Sequence, residues 1–311
     1  MCWLCNPLCG KCRAKKAKAR YTLPGLMEFS TINLFLIEAA RAHEGLLFDD
    51  VEIESVYGGF PGIKLGGGRN NAGAEAPLDA VERLVGRYNE LGVACNVTFS
   101  NQFATGASLR ECAYDRQVLA VLAAGEGNGV IVWSDELARA VRDEFPELKI
   151  IASTTKALVS AEDVEDACEC YDRVVLDYSL TKDEAFIKGL RHPERIEVMV
   201  NEYCTPGCPF RAEHYREVSR AQLESRQAEF PCRHEPGPQA YGFLQGLLGG
   251  DVFLRNDDVR RYREKLGVTS FKVVGRGLDR YDIADSYLYY LVQPDCWYDI
   301  RDALVRNGFF S

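Results

Sequence analysis

RVVLDYSLTKDEAFIKGLRHPERIEVMVNE, residues 173–202, places two short apolar runs on either side of an amphipathic stretch. RVVLDYS (173–179) and RIEVMVNE (195–202) are rich in Val and Ile, and DEAFIKGL (183–190) between them has helical character. Strands separated by a helix pair in parallel, because the crossover returns the chain to the same end of the sheet. The unit recurs along the chain. Strand-like runs also read as VEIESVYG (51–58), VACNVTFSN (93–101), GVIVWS (129–134), KIIAST (149–154), DVFLRN (251–256) and SFKVVGR (270–276). Amphipathic segments such as PLDAVERLVGRYNEL (77–91) and DELARAVRDEF (135–145) lie between them. Eight strand–helix units predict an α/β fold, a closed (β/α)8 barrel of the TIM type, in which RIEVMVNE is strand six and DVFLRN strand seven. A doubly wound open sheet is the alternative. GGFPGIKLGGGRN (58–70) follows the first of these strands but lacks the glycine spacing of a dinucleotide turn, which favours the barrel.

Outside those units, INLFLIEAARAHEGLL marks residues 21–50 as a helical lead-in, and residues 1–20 as a separate cysteine-rich tail. The barrel domain is thus expected over 21–311. Residues 205–250 form an insertion after strand six, longer than a barrel loop needs, and long loops in compact domains carry function.

The net charge of −9 is unevenly placed. Residues 1–20 carry six basic groups and no acid, leaving 31 basic against 46 acidic groups in the remaining 291 residues. An acidic body argues against extensive nucleic-acid binding, which needs a basic footprint. The basic tail reads as a solvated arm or a contact for an anionic partner. No apolar run reaches the ~20 residues that span a bilayer, and no secretory signal is recognisable, so a cytoplasmic protein is expected. In that setting twelve cysteines point to metal ligation or buried thiols rather than to six disulfides.

The cysteines fall into two groups. NEYCTPGCPFRAEHY (201–215) puts Cys204 and Cys208 just past strand six, at the end of a barrel where active sites form. Thiolates that converge there can hold a metal or an iron–sulfur cluster; inert thiols in a turn are the other reading. Cys232, in the same insertion, and Cys112, in the loop after strand two, are the candidates to complete the set. A radical-type C-x3-C-x2-C motif is excluded, since its third position is Arg211. The second group is MCWLCNPLCGKCRAKK, in which Cys2, Cys5, Cys9 and Cys12 can close around zinc or an iron–sulfur cluster, or form an oxidation-prone tail. His214, six residues beyond Cys208, and His234, two beyond Cys232, are further candidate ligands or proton carriers, or simply exposed helix residues.

VYGG (56–59), NVTFSN (96–101), NEYCTPGCPFR (201–211) and FKVVGRGLDRYDIADSYLYYL (271–291) together give the chain a resemblance to the collagenase-like peptidase family. That family also includes oxygen-independent hydroxylase subunits of anaerobic ubiquinone synthesis and RNA-hydroxylation factors. The resemblance covers roughly residues 50–293. It implies a barrel with a [4Fe–4S] cluster on Cys204, Cys208, Cys232 and, by analogy, Cys112. The chain departs from the family pattern in three ways. The cysteine gap is narrower, Val274 stands where the strand-eight glutamate is usual, and the N-terminal cysteine group is additional.

On this reading the protein is an iron–sulfur redox enzyme, a hydroxylase or related modifying activity on a small or nucleotide-like substrate. Asn201, Glu202, Lys272, Arg276 and Asp177 would line its pocket. Lys272 and Arg276 suit a carboxylate or phosphate, and Glu202 a proton transfer. The N-terminal group would hold a second cluster or zinc, and a protein partner or electron donor is expected. A metal-dependent peptidase with Glu202 as base is one alternative, although no G-x-S-x-G or H-E-x-x-H motif is present. A non-catalytic partner protein with structural zinc is another.

Overall fold

The computed structural model describes residues 17–67, 74–234, 242–250, 252–275 and 278–310. Eight parallel strands close on themselves in sequence order: Ala19–Pro24 (β1), Val51–Gly58 (β2), Ala94–Phe99 (β3), Gly129–Val132 (β4), Lys149–Ala152 (β5), Arg173–Val175 (β6), Ile196–Met199 (β7) and Ser270–Lys272 (β8). The helices that return the chain are Ser30–Ala42 (α1), Leu78–Glu90 (α2), Gly106–Glu111 (α3), Ala113–Ala123 (α4), Asp135–Glu144 (α5), Ala161–Cys170 (α6) and Glu184–Lys188 (α7). Arg211–Leu223 (α8), Phe243–Gly249 (α9) and Asn256–Arg261 (α10) follow β7, and Arg280–Leu291 (α11) and Trp297–Arg306 (α12) follow β8. The barrel expectation holds.

Local chemistry accounts for many of these elements. Side chains of Ser134, Ser160, Asp183 and Asp279 accept the first-turn N–H groups of α5, α6, α7 and α11, which water would otherwise have to satisfy. Val81, Val85 and Tyr88 place a buried stripe on one face of α2. On the outside of β1, Tyr21 packs against Phe271 of β8 and Tyr290 of α11, with ring centroids 5.8 and 6.1 Å away.

Two strand assignments need correction. β1 is ARYTLP, a stretch divided in the sequence reading between the basic tail and the helical lead-in, so the barrel begins at Ala19. DVFLRN is no barrel strand. Its Phe253 forms an isolated antiparallel bridge with Asn201, and Leu254 N donates to the Val200 carbonyl at 2.8 Å. The long insertion therefore follows β7 and not a sixth strand. An apolar run of six residues looks the same whether it enters a ladder or lies across one. β1 escaped notice because its inward positions, Arg20 and Thr22, are polar. Cys2, Cys5, Cys9 and Cys12 lie outside the described residues.

Those inward positions are polar because the barrel axis is. Thr22 Oγ1 donates to Glu197 Oε1 at 2.6 Å and lies 2.9 Å from Ser55 Oγ. Lys272 Nζ stands 3.4 Å from Glu197 Oε2 and 3.6 Å above the Tyr57 ring. Closer to the strand starts, Arg173 grips Glu54 with two hydrogen bonds of 2.7 and 3.0 Å, and Arg20 adds one of 3.0 Å. Glu54 can reach them because the β1–β2 register slips between Tyr21 and Thr22, a bulge that re-aims one side chain. The network opens at the strand starts into a cavity of about 240 Å³ lined in part by Arg20, Glu54, Asn96, Lys149 and Arg173.

Burial alone would raise the Glu54 pKa, but the Arg173 hydrogen bond and the charges of Arg173 and Arg20 outweigh it and hold the carboxyl low. A carboxyl depressed in the folded state contributes stability above its unfolded pKa of ~4.3 and loses it as pH falls through the folded value. Urea unfolding should therefore show stability falling as pH drops below about 4, and Glu54→Gln should flatten that part of the profile. An unchanged acid limb in the variant would remove Glu54 from the account.

Candidate functional site

Past the last residue of β7, Val200 N still donates to the Lys272 carbonyl at 3.0 Å. Asn201 continues the pairing with its side chain. Its Nδ2 donates to the Val274 carbonyl at 2.8 Å and its Oδ1 accepts from Val274 N at 2.7 Å, with the residue fully buried. Glu202 then turns the chain, one carboxylate oxygen accepting from Tyr203 N at 2.8 Å and Cys204 N at 3.0 Å. Gly207, with φ +67°, completes a reversal that a residue with a side chain rarely adopts. Cys204 and Cys208 thus lie on either side of a tight turn at the C-terminal mouth of the barrel.

Arg211 opens α8 and secures this turn. Its guanidinium pairs with Asp177 at the exit of β6, donates to the Thr154 carbonyl past β5 at 3.0 Å, and lies 4.2 Å over the Tyr178 ring. Asp177 also accepts from Ser179 N and Oγ at 2.9 and 2.6 Å. Burial opposes the guanidinium charge, but Tyr215, Asp177 and Tyr178 outweigh it and raise the Arg211 pKa. Tyr178 Oη, in turn, is 3.3 Å from Cys204 Sγ and 3.1 Å from the Thr205 carbonyl. Burial raises the Cys204 thiol pKa, with the Tyr178 hydrogen bond acting in the opposite direction.

From Arg211, α8 crosses the mouth to the far side of the barrel. Asn101 Nδ2 donates to the Ser219 carbonyl at 2.8 Å, and Gln222 Nε2 to the Ile63 carbonyl at 2.5 Å. At Ser225, with φ +53°, the chain doubles back along the helix. Arg226 pairs with Glu217 at 2.6 Å, Phe230 stacks on His214 at 5.0 Å, and Arg233 lies 4.4 Å over Phe210. The return path ends with His234 Nε2 3.1 Å from Cys208 Sγ.

The expected residues separate accordingly. His234 meets Cys208 at the mouth, with Cys204 on the other side of the same turn. Cys232 is exposed on the return path, two residues before His234. Cys112 is half-buried between α3 and α4, its thiol pKa raised by burial and by Asp115. Among the described residues, no group of three or more His, Cys, Asp or Glu side chains stands in metal-binding geometry. Asn201 has its polar atoms committed to the Val274 backbone past β8, and Asp177 to Arg211 and Ser179. Lys272 is inside the barrel, 5 % exposed, and Arg276 lies outside the described residues. Arg211 and Tyr178 were not anticipated as part of a site. One signal was present for Arg211: a cation in the first turn of a helix opposes the helix dipole, so a specific partner must offset that cost.

With this geometry in hand, the solved structure of the U32 peptidase Mk0906 superposes with a TM-score of 0.54 over 85 % of this chain and 95 % of that one, at 16 % identity. The fold is that of the U32-type collagenase-like peptidases. At this identity the likeness conveys architecture alone. The spore cortex-lytic enzyme SleL of Bacillus megaterium QM B1551 aligns at a TM-score of 0.38 and 11 % identity, over 93 % of this chain and 75 % of that one, too loosely to support an argument. No family model and no curated protein matches the sequence. No helix among the described residues is long and apolar enough to cross a membrane.

Removing one partner from a buried ion pair strands the other charge, at a cost of about 3–5 kcal/mol. Arg211→Met should therefore lower the unfolding free energy by about 3 kcal/mol, and Arg211→Met with Asp177→Asn by less than the sum of the two single changes. Additive losses in urea denaturation would show that the pair is uncoupled.

Proposed function

We propose that the chain is an enzyme whose working centre is a soft-metal or iron–sulfur site on Cys204 and Cys208, with Cys232 and His234 as the nearest further donors. It would serve oxygen-independent redox modification, hydroxylation included, of a small anionic or nucleotide-like substrate. The observation that carries this reading is the doubled-back insertion, which ends with His234 Nε2 3.1 Å from Cys208 Sγ beside the Cys204 turn. Thiolates and imidazole are donors that suit zinc, iron and iron–sulfur clusters, so the set fits such a group in kind. Such a centre would supply electron transfer when bound.

The chain's own residues have definable tasks around it. The Arg211–Asp177 pair anchors the thiol turn to β5 and β6, which keeps both sulfurs at the mouth without a flexible hinge. α8 covers the mouth from the β5–β6 side to the β2–β3 side and limits water entry. Glu202 uses Oε1 to hold the backbone of the turn, and Oε2 is the atom proposed to accept or return a proton. Lys272, inside the barrel, and Arg276, past β8, would attract an anionic substrate group. Cys2, Cys5, Cys9 and Cys12 would hold a second cluster or zinc, and an electron-donating partner would dock near that end. Such a thiol-rich centre suits a reducing cytoplasmic setting.

One observation favours a second reading. A thiol within hydrogen-bonding distance of an imidazole is also the arrangement of a cysteine nucleophile and its base, and one structural neighbour, Mk0906, is a U32 peptidase. Metal analysis separates the two. Protein purified without oxygen should contain iron and acid-labile sulfide and absorb broadly in the visible, and Cys204→Ala and Cys208→Ala should each abolish this. Stoichiometric zinc without iron would instead indicate a structural site. A metal-free chain whose Cys208 alkylation slows sharply on His234→Ala would replace the redox reading with the hydrolytic one.

A further inference from the structure

The cavity of about 240 Å³ at the strand starts lies at the end of the barrel opposite the Cys204–Cys208 turn. It exceeds the ~30 Å³ share of one water several-fold, so a small polyatomic ligand fits. Asn96, from β3, lines it at 4 % exposure, and its Oδ1 has no hydrogen-bond partner among the described residues. Buried carboxamides are seldom left in that condition. A Cβ on the facing Gly129 would stand 2.9 Å from this oxygen, so the glycine is what lets the carboxamide lie over β4. Lys149, at the start of β5, is exposed on the rim and has no ion pair among the described residues. The acids of the lining, by contrast, are all engaged. Glu54 is held by Arg173 and Arg20, Asp172 by Arg142 at 3.3 Å and Ile150 N at 2.8 Å, and Glu194 by His192 at 3.4 Å.

We propose that this cavity is a binding site for a small tetrahedral oxyanion of the phosphate class. Its donors stand on four strands: Arg20 on β1, Asn96 on β3, Lys149 on β5 and Arg173 on β6. A tetrahedral anion offers oxygens in as many directions, whereas a planar carboxylate presents two in one plane, which suits a single guanidinium fork better than donors spread around a ring. The Asn96 carboxamide donates through Nδ2, and the Lys149 ammonium supplies a charge that no acid of the barrel has taken up. Arg20 spends donors on Glu54, Thr269 and Ser270, and Arg173 on Glu54, so neither guanidinium uses all five of its N–H groups. Glu54 would repel an anion, but the two guanidiniums that grip it offset its charge. The site shares no residue with the thiol turn and stands apart from the function proposed for it.

The test titrates inorganic phosphate into the full chain by isothermal calorimetry, near neutral pH and at low salt. Saturable binding to one site is expected, with acetate binding more weakly. Lys149→Met should weaken phosphate by about tenfold, the loss of one charge-assisted hydrogen bond. Asn96→Asp, which keeps the side-chain shape but puts a carboxylate in the cavity, should abolish binding. No saturable binding to the wild type overturns the proposal, and water then satisfies Asn96. Phosphate binding unchanged in both variants also overturns it, because the anion would then sit elsewhere. Acetate binding as tightly as phosphate rejects the tetrahedral class. Should Asn96→Asp not fold, the wild type supplies a second readout by mass spectrometry. Phosphate should slow acetylation of Lys149 relative to Lys64, which is exposed past β2 at the other end of the barrel, and equal rates with and without phosphate would reject the site.

Discussion

A single guanidinium organises the C-terminal end of this barrel. Arg211 loses most of its hydration and meets fixed partners in its place: the Asp177 carboxylate, the Thr154 carbonyl and the face of Tyr178, with its Nε left unpartnered. Those partners belong to the exits of β5 and β6, whereas Arg211 belongs to the helix that follows β7. The charge therefore cannot be satisfied unless three separate chain segments adopt one arrangement. Desolvation makes the alternatives costly, which is how an interaction of modest net energy specifies position strongly. The Cys204–Cys208 turn, lying between β7 and Arg211, inherits that position.

A second electrostatic constraint runs along the barrel axis. Glu54 and Glu197 face Arg20, Arg173 and Lys272 in an interior where apolar layers would be usual. Thr22 donates to Glu197 and in turn bonds Ser55, so the Glu197 carboxylate is not left unpaired. The consequence is a barrel whose register depends on matched charges as well as on Val and Ile packing. It also positions Lys272 inside, against Tyr57 and Glu197.

Several features were legible in the amino-acid order alone. Repeated Val/Ile runs separated by amphipathic segments specified parallel pairing and the barrel, and the position of Cys204 and Cys208 just beyond RIEVMV placed them at its C-terminal end. The errors have a common origin. ARYTLP was missed because a strand facing a polar interior lacks the apolar alternation that marks a half-buried one, and DVFLRN was counted because hydrophobicity does not report hydrogen-bond partners. The two mistakes cancelled in the count of eight and shifted the strand numbering around the insertion. Asn201 and Asp177 were recognised as polar groups at strand ends, but spacing could not show that their atoms are used by Val274 and Arg211.

What the sequence determined by itself is the architecture and the location of the thiols, because both follow from local periodicity and chain direction. The association of Cys208 with His234 was decided by tertiary structure. It needs α8 to cross the mouth and the chain to reverse at Ser225, so that residues 26 positions apart meet. The same holds for Tyr178 and Cys204, brought within 3.3 Å by the packing of β6 beside β7 and by the Arg211 clamp. Such contacts depend on which long-range partner satisfies a buried charge or hydrogen bond, and no local pattern of residue types encodes that choice.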